Sequence, residues 1–123
     1  MKRVGIVALT LLALFVVGCS RTKIIPHDEA HMSGSSFLQS SVTVKAGQAV
    51  KFIDASDGAP HKLVIGTNGT WTATDGAPSQ LNNSAGMSIN PGQTIDVVFS
   101  TPGTYPVTCT VHPAMQLTVT VTP

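Results

Sequence analysis

Cys109-Thr110-Val111-His112-Pro113-Ala114-Met115 places a thiol, an imidazole and a thioether within seven residues. Each is a soft or borderline donor. Thiolate with imidazoles and a weak thioether suits copper cycling between Cu(I) and Cu(II), as at a blue electron-transfer centre. Thiolate and imidazole also suit zinc, but the Cys, His, His, Met set argues for copper. The stretch itself lacks a second imidazole. His61 is the candidate to supply it: it follows Pro60 in a loop and precedes the apolar run Lys62–Ile65, 48 positions before Cys109. In a two-sheet sandwich such a residue can meet a loop at the same end of the other sheet.

The other cysteine, Cys19, has a different context. Lys2 and Arg3 form a short positive start, and Val4 to Gly18 is an almost wholly apolar run of 15 residues. A spanning helix needs about 20, so residues 1–18 read as a signal segment. Val16-Val17-Gly18-Cys19 resembles the lipobox of bacterial lipoproteins. That resemblance implies a diacylglycerol thioether on Cys19 and stable anchoring through two or more acyl chains. Cys109 is then the lone thiol of an exported domain. A free thiol in an oxidising compartment needs a reason, and metal ligation supplies one.

The elements that must position the donors are short strands. Ser41–Val44 and Ala49–Ile53 alternate around Ala46-Gly47-Gln48. Lys62–Ile65, Gly86–Ile89, Thr94–Phe99, Thr104–Cys109 and Leu117–Thr122 follow, separated by turn signals such as Asn90-Pro91-Gly92-Gln93 and Thr101-Pro102-Gly103. The period of two, the β-branched residues and the roughly ten-residue spacing predict an all-β Greek-key β-sandwich of about 7–8 strands over residues 37–123. Tyr105 suits a Greek-key corner or the core, Trp71 the core or a partly buried lid, and Met87 the core. Residues 19–36, polar and closing in Ser-Gly-Ser-Ser, read as a flexible tether. His27 and His31 lie four apart within it and could share a helix face. With Met32 they offer a weak copper-capture site; a solvated linker containing histidines is the simpler reading.

These pieces, Val42–Gly47, Pro60-His61, Pro91-Gly92, Gly103-Thr104-Tyr105, Cys109–Met115 and Val119-Thr120-Val121, resemble the cupredoxin family over most of residues 37–122. The short Cys-x-x-His-x-x-Met loop looks most like that of amicyanin, and the strand arrangement like plastocyanin-type proteins. The resemblance implies one copper ion held by His61, Cys109 and His112, with Met115 as a long axial ligand and the Pro60 carbonyl on the opposite side. Two positions depart from the family's habit. Lys62 stands where many relatives carry a small polar residue that ties the ligand loops together. Leu117 stands where many have glycine.

An all-protein ligand set leaves no position open for substrate. That argues against an enzyme and for outer-sphere electron transfer. The expected role is a lipid-anchored one-electron carrier facing the periplasm or cell exterior, monomeric, serving cytochromes or respiratory or photosynthetic complexes. Pro113, Ala114 and Ala59 would form an apolar docking surface around His112. The alternative is copper storage or delivery, with His27, His31 and Met32 as its support. With charged residues at 11% and a formal net charge of +1, there is no basic stripe for nucleic acid.

Overall fold

The computed structural model describes Gly18 and residues 25–123. The rest of the expected signal segment, and Cys19, lie outside the described residues. Among the described residues no helix is long and apolar enough to cross a membrane.

Ten strands form: β1 (Glu29–Ser33), β2 (Ser36–Phe37), β3 (Ser41–Lys45), β4 (Gln48–Asp54), β5 (His61–Thr67), β6 (Thr70–Trp71), β7 (Met87–Ile89), β8 (Thr94–Phe99), β9 (Gly103–Cys109) and β10 (Gln116–Thr122). One sheet runs β2-β1-β4-β8. The other runs β3-β10-β9-β5-β6, with β7 also paired to β5. The pairs β1–β4 and β3–β10 are parallel and the rest antiparallel. The expected all-β sandwich is thus the observed fold.

Alternation explains most of it. Val42 and Val44 on β3, Val50 and Phe52 on β4, Val97 and Phe99 on β8, and Leu117, Val119 and Val121 on β10 turn inward, and their polar neighbours are less buried. Inward residues at i and i+2 line one face of a strand. Full burial of such side chains contributes about 1.5–3 kcal/mol each. Leu117 is wholly buried and registers with Val107, so the bulk at this unusual position fills the core. Tyr105 is buried, and its hydroxyl donates to the Thr101 carbonyl at 2.7 Å, a tyrosine corner. Met87 joins the core as expected.

One expectation changes and another narrows. The tether reading of 19–36 fails for its second half, because Glu29–Ser33 is a strand. It runs parallel to β4 with Ala30 beside Phe52 and Met32 beside Asp54, and both Ala30 and Met32 are buried. The amide of Thr43 also donates to the His27 carbonyl. The domain therefore starts near residue 27, not 37. Ala30 and Met32, alternating with Glu29, His31 and Ser33, make only a two-residue apolar pattern, too short to mark a strand by itself. Of the two readings of Trp71, the core reading fails and the partly buried one stands: it is 36% exposed on β6, with its Nε1–H donating to Asn82 Oδ1 at 3.3 Å. Residues 75–83 contain turns but no helix, and Leu81 within them reaches the core.

Candidate metal centre

β5 and β9 carry the site. They pair antiparallel with Leu63 opposite Cys109, the last residue of β9, so His61, two residues before Leu63 and on the same face of β5, is the next side chain along from Cys109. Strand pairing thereby joins residues 48 apart. His112 arrives three residues later, on the turn that links β9 to β10.

The three side chains converge through one atom each. Cys109 Sγ lies 3.8 Å from His61 Nδ1 and 3.9 Å from His112 Nδ1, and the two Nδ1 atoms are 3.2 Å apart. These three residues are the one group of metal-ligating side chains of this kind found among the described residues. The imidazoles meet edge to face, with centroids 5.1 Å apart. A point equidistant from the three donor atoms lies about 2.1 Å from each. First-row metals bind imidazole and thiolate at about 2.0–2.3 Å. The donor set therefore fits one copper ion.

Burial protects the set. Cys109 and His61 are buried, and His112 is half-buried. Met115, on the same loop, is buried in the core, and its amide donates to the His112 carbonyl at 2.9 Å. Burial first, and the neighbouring His112 second, push the His61 imidazole below its ordinary pKa; the Asp54 carboxylate and the Gly34 backbone pull the other way. A neutral imidazole is the metal-binding form.

Backbone contacts brace the loops. The Lys62 amide points at Cys109 Sγ at 3.5 Å, and the Lys62 carbonyl accepts the Thr110 amide at 2.9 Å. Thr108, wholly buried, accepts the Gly69 amide at 3.0 Å and donates to the Met115 carbonyl at 2.8 Å. Pro113 sits against Gly69, where a Cβ would come within 2.9 Å of the proline ring. The metal-bearing loop is thus clamped to the turn between β5 and β6.

Asp54 was not foreseen. It ends β4 on the inward face, and its Oδ1 lies 3.7 Å from His61 Nε2 with both side chains inaccessible. Continuing the alternation Val50, Phe52, Asp54 would have found it. Thr108 was also missed, because a threonine in a strand carries no signal of its own.

The expected docking residues divide. Ala59 and Pro60 line a cleft with His61, Lys62, Val111 and His112. Pro113 and Ala114 are exposed on the ligand loop but do not line that cleft. Val111, 58% exposed, takes the place beside His112. His27, His31 and Met32 do not gather into a site. His27 lies in an exposed turn, His31 Nε2 pairs with Glu29 Oε2 at 2.7 Å, and Met32 is core.

Comparison with known proteins agrees with this geometry. Residues 24–122 match the family model for copper binding proteins of the plastocyanin/azurin family. Plastocyanin of Ulva prolifera is 33% identical over 92 residues, covering 70% of this chain and 86% of that protein. Plastocyanin of Ulva arasakii is 30% identical over 88 residues, with coverage of 70% and 86%. Among solved structures, amicyanin from Paracoccus versutus superimposes with a TM-score of 0.56 at 22% identity, covering 76% of this chain and 78% of that one.

Proposed function

The chain belongs to the plastocyanin/azurin family of copper-binding proteins, and on that premise we propose that it is a membrane-anchored one-electron carrier. The observation that carries this reading is the triangle of Cys109 Sγ, His61 Nδ1 and His112 Nδ1. Copper bound there supplies the Cu(I)/Cu(II) couple. Cys109, His61 and His112 would hold the ion, with Met115 as a further, weak sulfur donor and the Pro60 carbonyl as a candidate oxygen donor. The β5–β9 pairing and the Thr108 clamp keep the donors in place in both oxidation states, which lowers the cost of moving an electron. His112, half-buried beside exposed Val111, is the exit to a redox partner such as a cytochrome. Ala59, Pro113 and Ala114 widen that apolar surface, and a transient contact suits such exchange. A lipid on Cys19 anchors the carrier to a bacterial membrane, facing the periplasm or exterior.

The test is the purified protein titrated with copper. An intense thiolate-to-copper charge-transfer band with reversible one-electron voltammetry supports the reading. A colourless protein that hands Cu(I) readily to a chelator supports storage or delivery instead. For the anchor, Cys19→Ser should move the protein from the membrane fraction to the soluble one. Unchanged partitioning would remove the lipid from the proposal.

A further inference from the structure

The Asp54 carboxylate is a costly object. Both of its oxygens are buried and neither has a hydrogen-bond partner, and the same holds for His61 Nε2. A buried charge without a partner opposes folding steeply. Among the described residues the one other buried side-chain nitrogen or oxygen without a hydrogen-bond partner is His61 Nε2, 3.7 Å from Asp54 Oδ1, with the Gly34 backbone also acting on that ring. The surroundings make room for the carboxylate. Gly58 packs against Asp54 Oδ1 so closely that a Cβ there would collide with it. The Asp54 backbone is fixed on both sides, its amide donating to the Gln93 carbonyl and its own carbonyl accepting the Gly92 amide.

Imidazole that gives one nitrogen to a metal keeps the other as an N–H, and a carboxylate there fixes the tautomer and raises ligand basicity. His61 turns Nδ1 to Cys109 and His112 and Nε2 to Asp54. We infer that Asp54 is the positioning residue of the copper site: it is the acceptor for the Nε2–H of His61, and its negative charge favours Cu(II) over Cu(I). The inference rests on the copper reading above. Oxidation adds one positive charge to the site, and a nearby buried anion stabilises the more positive state.

The experiment compares the wild-type protein with Asp54→Asn and Asp54→Leu, each checked for folding by circular dichroism. Asp54→Asn keeps an acceptor and loses the charge; Asp54→Leu loses both. Cu(II) affinity should fall about 10–100-fold in Asp54→Leu and less in Asp54→Asn, with Cu(I) affinity less affected in each. Every tenfold by which Cu(II) loses more than Cu(I) raises the potential by about 59 mV. In the wild-type Cu(I) protein, nitrogen-detected NMR should show a proton on His61 Nε2 that exchanges slowly with solvent. Should Asp54→Leu fail to fold, Asp54→Asn and the NMR measurement still decide. An unchanged potential in folded Asp54→Asn, or a His61 Nε2 without a proton, overturns the inference. Provided that the wild-type protein shows the charge-transfer band, either result leaves the electron-carrier reading standing; absence of that band defeats the reading itself.

Discussion

The amide of Lys62 points at the sulfur of Cys109 across 3.5 Å, and the next atoms along the same residue close the link, its carbonyl accepting the Thr110 amide. The two loops that bring His61 and Cys109 to one pole are therefore tied by backbone. An N–H directed at a thiolate withdraws charge from sulfur and so tunes the metal's potential. The side chain of Lys62 is exposed and takes no part in these two bonds.

Lys62→Ala should consequently leave the copper site nearly unaltered. Its charge-transfer band should keep the wild-type position, and its potential should move only by the small, salt-screened effect of one surface charge. Voltammetry at low and high ionic strength checks this. A large shift that persists in high salt would mean that the side chain, not the backbone, braces the loops.

Thr108 is a stronger lever. Its hydroxyl serves two partners at once, the Gly69 amide and the Met115 carbonyl, in a fully buried position. Thr108→Val preserves shape and strands both partners. A stranded buried polar group costs about 1–3 kcal/mol. Urea unfolding of the metal-free protein should show a loss of that order, and Thr108→Ser should recover most of it. A Thr108→Val protein as stable as wild type would show that the clamp contributes nothing.

How far the sequence discloses all this depends on whether chemistry or position carries the signal. Cys109, His112 and Met115 announce themselves by type and spacing, and the inward alternation of Leu117, Val119 and Val121 announces a strand. His61 needs the sandwich before it becomes a ligand, since only the β5–β9 register brings it to Cys109. β1 was hidden because its pattern is two buried residues long, and its partner β4 supplies the ladder that stabilises it. Asp54 reads as the start of a polar loop by composition. Only its parity with Val50 and Phe52 reveals that it faces inward. Lys62 misleads in the opposite sense, for the departure lies in a side chain whereas the contacts are made by the main chain.

Acid should weaken the metal-free fold. His61 has a folded-state pKa below its ordinary value, chiefly through burial. The unfolded chain therefore takes up the His61 proton first as pH falls. Its contribution to stability is full above about 6.5 and is lost as pH drops through the lower folded value. Asp54 acts in the opposite direction. Burial raises its pKa, aided by Asp57 and opposed by His61, so its contribution is full below the usual carboxylate range and is lost as pH rises through the raised value. On acidification the two groups therefore oppose each other, and a variant that removes His61 isolates its part. Denaturant titrations between pH 7.5 and about pH 5.5 should show declining stability, and His61→Gln should flatten that decline. An equal slope in the variant would assign it to other groups.

Val111 and Ala114 test where the electron leaves. Val111 shares a cleft with His112, while Ala114 is exposed two residues beyond it on the ligand loop. Neither packs in the core, so a charged side chain at either position should leave the fold and the charge-transfer band intact. Apolar contact at the centre of a small interface supplies much of its binding energy. A glutamate there must be desolvated each time a partner docks. A penalty of 1.4 kcal/mol on the encounter corresponds to tenfold, so Val111→Glu should slow electron exchange by about that factor, and Ala114→Glu should slow it too. Val98 provides the control. It is 50% exposed on β8, in the other sheet, and Val98→Glu adds the same charge away from the pole. Stopped-flow oxidation by a cytochrome at fixed ionic strength separates the cases. Equal slowing in all three variants would reflect net charge alone, and no slowing at Val111 or Ala114 would move the docking surface elsewhere.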